Sequence, residues 1–447
     1  MKNIHYIIFL LISTVAFSQE IPQSLSLQEA IDFALLNNRT AKNAQRDIEA
    51  AKLQKWETTA SGLPQLSATI DYNNWLKQQV SLLPAEFFGG NPGEFAEVAF
   101  GTKQTMNATA TLNQKIFDGS YLVGLQSAKV FLEISENAKE KTDLEVRKAV
   151  INAYGNVLLS EESIAILNRN ISVLEKNLNE TTKIYENGLG EEESVEQLQI
   201  TLSGIKSNLA NTERLNTLAY KMLNITLGVD LNATIHLSDN LNSLTSQNIV
   251  ISLLDADDNI EQTIDYRIAE NDKVAKELLL KLEKSKALPT IDAFANAGYS
   301  GNNENFKFLN SSQEWFGSSL LGVSMKIPIF SSGMRSAATQ RAKINLEKAE
   351  NDLTETEQQL KLQIANAKSE YKFAIEDYQN KKENLNLAER IEQKNQTKFF
   401  EGISSSFDLR QAQTQLYTTQ QELLQAMLDV INKKAALETA LNEIPKN

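Results

Sequence analysis

Two hydrophobic periods alternate along this chain, and they do so twice. From Leu27 the apolar positions Ala30, Ile31, Ala34 and Leu35 recur at helical spacing, and Ala41, Ala44, Ile48, Ala51 and Leu53 continue them. The pattern predicts one helix from Leu27 to about Thr59, opened by Ser26 and Glu29 as a capping box and closed by Gly62-Leu63-Pro64. The period then changes to two. Leu66, Ala68, Ile70 and Tyr72 share one face of a strand over about 65–75, and Ser67, Thr69, Asp71 and Asn73 share the other. About Leu76 to Gly101 reads as a Gly/Pro-containing loop around Phe87-Phe88-Gly89-Gly90-Asn91-Pro92-Gly93. Over 103–117 the alternation returns, with Met106, Ala108, Ala110, Leu112 and Ile116 apolar against Thr105, Asn107, Thr109, Thr111 and Asn113.

A corner at Asp118-Gly119 opens a proline-free stretch that predicts a helix over 119–187, ended by Gly188. At 1.5 Å per residue it would span about 100 Å, against about 11–12 residues for an ordinary globular helix. The next helix is expected over 191–227, with Glu191, Glu192 and Glu193 at its positive end. The period is lost over 229–257, a connector with a possible small strand around Thr234 to Leu237.

Then the pattern restarts. A helix is expected over 258–287, Leu288-Pro289 echoes Leu63-Pro64, and strands are expected over about 290–300 and 315–329. Trp315 and Phe316 sit where interfacial aromatics would. Pro328 and Gly333 mark a second corner, followed by a long helix over 334–400 and a last helix over 406–442. Gly188 aligns with Gly402, Val195 with Leu409, Gln199 with Gln413 and Leu202 with Leu416, at one constant offset (402 minus 188, or 214 positions). The organisation read from the chain is therefore repeat 1 over 19–228, an equatorial connector over 229–257, repeat 2 over 258–443 and a tail over 444–447.

Composition narrows the classes. With 44 Lys+Arg against 57 Asp+Glu the formal net charge is −13, which leaves no basic footprint for nucleic acid. There is no cysteine, and the two histidines, His5 and His236, leave no His-based triad or zinc site, so no enzyme chemistry and no cofactor is expected. Lys2, the apolar run Ile4 to Val15 and Ala16-Phe17-Ser18 read as a signal peptide over 1–18. No later stretch is apolar enough for a membrane helix, so entry into a membrane would have to use strands. Four strands of membrane length cannot close a barrel, and a bilayer tolerates no open edge. Two copies would give eight strands and a filled interior; three would give twelve and a possible lumen.

The LSLQEAIDFALLNN opening, the LPQL and LPTI strand entries, the IFDGS and IFSSG corners, and the YENG…ESVEQLQ and FFEG…FDLRQAQTQL hairpins resemble the TolC family of outer-membrane efflux proteins. The resemblance covers nearly the whole mature chain, twice. It implies a mixed α and β membrane protein of tandem-repeat TolC-like fold, a homotrimer whose twelve-stranded outer-membrane β-barrel is continuous with a long periplasmic α-helical barrel. It implies export of drugs, toxins or secreted proteins, with a periplasmic adaptor, an inner-membrane RND, ABC or MFS pump and outer-membrane lipid as partners. The corners Asp118, Gly119, Pro328 and Gly333 would mark the passage from barrel to tunnel. The tips, about Tyr185 to Glu196 and Phe400 to Gln411, would form the periplasmic aperture. Aperture candidates are Glu191, Glu192, Glu193, Glu196 and Asp408, with Gln411 where the family often carries a second acid. Gly188, Gly402, Ser404 and Ser405 are candidates for adaptor docking. The alternative reading is a periplasmic adaptor or a secreted coiled-coil structural protein, which leaves the two alternating hairpins unexplained.

Overall fold

The computed structural model describes residues 24–443; the signal segment and the tail lie outside them. The chain opens with β1 (Ser24–Leu25), α1 (Leu27–Asn37) and α2 (Arg39–Ala60). The single helix expected from Leu27 to Thr59 is thus broken at Asn38, whose backbone turns extended at ψ 135. Its side chain explains the break. The amide donates to Thr226 O at 2.7 Å, while its oxygen accepts from the Thr40 and Ala41 amides at 2.8 and 3.3 Å and caps α2. Strand β2 (Gln65–Asn74) follows. The expected loop after it contains a hairpin, β3 (Val80–Pro84) and β4 (Phe95–Ala99), around a 3-10 turn at Ala85–Phe88. Next come β5 (Gln104–Phe117), α3 (Gly119–Glu186) and α4 (Glu192–Leu227).

The connector holds β6 (His236–Leu237) and α5 (Leu241–Gln247). Helix α6 (Ile264–Ser285) begins later than its expected start at 258. Asn259 instead caps a 3-10 turn at Ile260–Gln262, and Thr263 is extended, so the helical path cannot run through. β7 (Thr290–Asn303) runs past its expected end, whereas β8 (Trp315–Lys326) stops short of 329. Pro328 has no amide proton for a ladder, and Arg335 takes up the carbonyls of Pro328 and Ile329 at 2.9 and 3.2 Å. Helices α7 (Met334–Phe400) and α8 (Ser406–Leu441) complete the chain.

The chain folds as two compact units, each drawn from both repeats. One comprises Gln45–Ala138 and Asp265–Gln358. Its centre is a four-stranded antiparallel sheet of order β2-β5-β7-β8. The register sets Ile70, Ala108, Tyr299 and Gly317 in one cross-strand row, and Tyr72, Met106, Gly301 and Trp315 in another two positions along. Alternation places these rows, with Leu66, Leu112 and Leu321, on one apolar face. The opposite face carries Thr69, Thr109 and Ser318, and the Ser300 hydroxyl donates to Asn107 Oδ1 at 2.7 Å. Among the described residues β2 and β8 have no partner on their outer edges, and every residue of β2 is exposed in the single chain. Both corners are built locally. Asp118 accepts from the Ser120 and Tyr121 amides at 2.9 and 3.2 Å and caps α3, while Gly333 takes φ +81 before α7. Gly119 has another reason: a Cβ there would lie 2.9 Å from the Leu288 side chain.

The other unit comprises the described residues up to Ala44, Lys139–Ile264 and those from Gln359 on. Its core near the hairpin is a coiled-coil seam. Leu167, Ile171, Leu174 and Leu178 on α3 face Leu198, Leu202, Ile205 and Leu209 on α4, at alternating steps of three and four, and Tyr417 of α8 packs against them. Each fully buried leucine contributes about 1.5–3 kcal/mol. Further along α3, Tyr154 is fully buried and its hydroxyl reaches Leu25 O and Asp239 Oδ2, both at 2.9 Å. It donates to one of them. This contact ties down β1, which pairs in parallel with β6. Arg147 and Lys434 hold the buried Glu438 at 2.7 and 3.2 Å. No described helix is long and apolar enough to cross a membrane.

Candidate functional site: the two helix tips

The aperture and docking candidates lie at the α3–α4 and α7–α8 turns, which share one backbone construction. At the first, Gly188 adopts φ +76, its amide donates to Tyr185 O at 2.8 Å, and the Leu189 amide donates to Ile184 O at 3.0 Å. At the second, Gly402 adopts φ +74, its amide donates to Phe399 O at 3.0 Å, and the Ile403 amide donates to Lys398 O at 2.8 Å. Each is a Schellman-type end, in which a left-handed residue lets the next amide satisfy an orphan carbonyl. Nothing lies within 4 Å of a Cβ built at either glycine, so the requirement for glycine is conformational rather than steric. The residue after each glycine is large, apolar and exposed: Leu189 at 81% and Ile403 at 70%.

The helices that follow start differently. Glu191 occupies the N-cap of α4 in an extended conformation with no side-chain cap bond. Glu191, Glu192, Glu193 and Glu196 are all exposed around its first turn, and Glu193 accepts from Gln197 at 2.8 Å. Ser405 caps α8 with a complete box: the Asp408 amide donates to its hydroxyl oxygen at 3.2 Å, and Asp408 Oδ2 accepts from the Ser405 amide at 3.1 Å. The same oxygen also accepts from the hydroxyls of Ser405 at 2.7 Å and Ser404 at 3.1 Å. The Ser405 hydroxyl, then its amide and the Ser404 hydroxyl, hold the Asp408 carboxyl below the usual aspartate range. Gln411 is exposed one turn on. The serines suggested for docking are thus engaged in the cap, and Asp408 is an exposed carboxylate whose Oδ2 accepts all three of these bonds.

Behind the tips lies a polar layer that the sequence reading missed. Asn170 on α3 donates to Gln420 on α8 at 2.8 Å, and Asn177, seven residues further, accepts from Gln396 on α7 at 3.0 Å. Asn177 and Gln413 are fully buried. Among the described residues Asn177 Nδ2 and the hydroxyl of the buried Thr181 have no hydrogen-bond partner. Burial raises the Glu392 carboxyl above its usual range here. The available signal was spacing: Asn170 and Asn177, like Gln413 and Gln420, are seven apart and so share a heptad position.

The family model described as outer membrane efflux protein matches residues 30–229 and 275–443. The toluene efflux pump outer membrane protein TtgC of Pseudomonas putida is 23% identical over 423 residues, covering 93% of this chain and 82% of that one. Outer membrane protein TolC of Vibrio cholerae is 22% identical over 250 residues, 56% of each chain. Among solved structures, CusC superposes with a TM-score of 0.75 at 18% identity, covering 93% of this chain and 92% of that one. The Campylobacter jejuni CmeC outer membrane channel superposes at 0.71 and 17%, covering 93% and 85%. At these identities the structural likeness is one of fold.

Proposed function

This chain belongs to the outer membrane efflux protein family, the TolC-like outer membrane factors, and from that premise we propose that three copies assemble into an export duct. The chain is an outer-membrane efflux channel with a periplasmic tunnel, not an enzyme. In the assembly, each copy contributes four strands to a twelve-stranded barrel and four principal helices to the tunnel. One observation carries the reading: the sheet β2-β5-β7-β8 leaves both edges open, with an apolar face toward lipid and a Ser/Thr/Asn face toward a wet interior. An edge strand in a bilayer must be paired, and only further copies of this chain supply matching edges on both sides.

The relatives' names point to efflux of small molecules, toluene in the case of TtgC. On this footing the duct passes drugs, toxins or secreted proteins delivered through a periplasmic adaptor by an inner-membrane RND, ABC or MFS pump. The tips form the periplasmic mouth. Glu191, Glu192, Glu193, Glu196 and Asp408 set a negative potential there, which favours cations, and Gln411 leaves the second tip the less acidic of the two. Gly188, Gly402 and the exposed Leu189 and Ile403 offer the adaptor a small, apolar landing surface.

Purified protein reconstituted in planar bilayers tests this. We expect a detergent-stable trimer with cation-preferring conductance, and a lower cation preference when Asp408 and the four glutamates are neutralised. An unchanged preference removes the aperture role. A soluble periplasmic product on fractionation removes the duct itself. Replacing Gly402 by a bulky residue should abolish efflux complementation while the barrel still assembles.

A further inference from the structure

The β7–β8 connection, residues 304–314, does not stand away from the sheet. It folds back onto the apolar face. Phe308 is only 3% exposed although it lies in a loop of Asn, Ser and Gln. Its ring packs 6.4 Å from Trp315 and 6.0 Å from Tyr72, and Phe306 stands edge-on to both Phe308, at 5.7 Å, and Tyr72, at 5.5 Å. Gly301 makes the room: a Cβ there would lie 3.1 Å from the Trp315 ring and 3.3 Å from the Phe308 ring. The loop is tied down by Asn303, whose amide donates to Gln313 Oε1 at 3.0 Å.

The register gives this cluster its meaning. Tyr72, Met106, Gly301 and Trp315 form one cross-strand row on the apolar face. The row has aromatic rings only on the two edge strands; β5 and β7 contribute Met106 and Gly301. Phe306 and Phe308 fill that gap from above, so each copy presents an unbroken aromatic row. The helices join the sheet at its other end, so this row lies at the end distal to the periplasm. From Trp315 to Met325 the strand covers roughly 34 Å at about 3.4 Å per residue, or roughly 24 Å of depth at a tilt of about 45°, which matches an outer-membrane apolar band of about 25 Å. The row therefore falls at the upper rim of the band, where aromatic rings are favoured because one side is apolar and the other wet.

We propose that residues 304–314 are a membrane-interface anchor, in which Phe306, with Tyr72 and Trp315, meets outer-leaflet lipid at the boundary between acyl chains and headgroups, and the buried Phe308 seats the loop on the sheet. The occupant is lipid because the cluster continues the lipid-facing side of the sheet. The loop is thereby committed to the outside of the barrel and does not reach over its lumen.

Depth-dependent quenching tests this in reconstituted, full-length protein. The three native tryptophans, Trp56, Trp75 and Trp315, are replaced by phenylalanine, and single tryptophans are then installed as Phe306→Trp, Leu321→Trp and Leu320→Trp. In bilayers of brominated phosphatidylcholine, Phe306→Trp is expected to lose more fluorescence to bromines near the carbonyl than to bromines deep in the chain. Leu321→Trp should show the reverse order, and Leu320→Trp, on the opposite face, should be spared by lipid and quenched by aqueous iodide. If Leu321→Trp is quenched while Phe306→Trp is spared by both lipids, the anchor is overturned and the barrel stands. Iodide then shows whether the loop faces water or lies beneath a neighbouring copy. If Leu321→Trp is also spared, the barrel reading falls and the anchor falls with it. Should Phe306→Trp fail to assemble, Leu309→Cys carrying an environment-sensitive dye gives the same reading with the four native rings in place.

Discussion

The two helix tips have the same backbone and different chemistry. Both end a long helix with a left-handed glycine and a six-residue return bond, and both leave an apolar residue exposed just beyond it. Only the second fastens the next helix with a side-chain box, because Ser405 and Asp408 stand where the first has Glu191 and Ser194. Repetition has kept what the chain path requires and let the capping chemistry diverge. The first tip therefore offers carboxylates around its turn, whereas the second has spent its one aperture acid on closing the helix.

The largest effect expected from breaking this comparison is shared by both tips. Gly188→Val and Gly402→Val should each destabilise their tip by about 2 kcal/mol, since a branched residue is strained at positive φ. Hydrogen exchange of the flanking amides measures this, and clearly unequal losses would show that the two turns are not equivalent. Next comes the cap. Ser405→Ala should cost about 1 kcal/mol at the second tip, while Glu191→Ala should cost close to nothing at the first, because only one side chain makes a cap bond. Equal losses would erase the distinction.

The same box gives the second tip an acid limit. Asp408 has a lowered pKa in the fold, so its contribution is fully present above the unfolded value of about 4 and is lost as pH falls through the lower folded value. Protection at the α7–α8 turn should fall in that acidic window and lose this pH dependence in Ser405→Ala. The smallest effect concerns the layer behind the tips. Thr181→Val removes a buried hydroxyl that has no partner among the described residues, at nearly constant volume, and should raise stability by up to about 1 kcal/mol in thermal unfolding. A loss would mean that the hydroxyl has a role which its surroundings do not reveal.

How much of this was legible depended on how local its cause is. The ends of α3 and α7 are marked by Asp118, Gly188, Gly333 and Gly402, whose roles lie in their own backbone or in bonds to adjacent residues. The β3–β4 hairpin was hidden because its strands are short and surround a Gly/Pro cluster that reads as loop. The break at Asn38 was hidden because its reason is a carbonyl far along the chain, at Thr226. Gln413 looked like its exposed repeat partner Gln199, and only the packing of α8 against its neighbours buries it.

The sequence by itself determined the alternation of periods, the doubling of the unit, and the resemblance that names the family. These rest on side-chain spacing and local turn chemistry, which a linear reading contains. Tertiary structure alone decided that the compact units cut across the repeats, that Gln413 is buried, and that Phe306 and Phe308 lie on the apolar face of the sheet. Each of those depends on which distant groups arrive at the same place. Spacing along the chain does not encode that meeting; strand register and helix packing do.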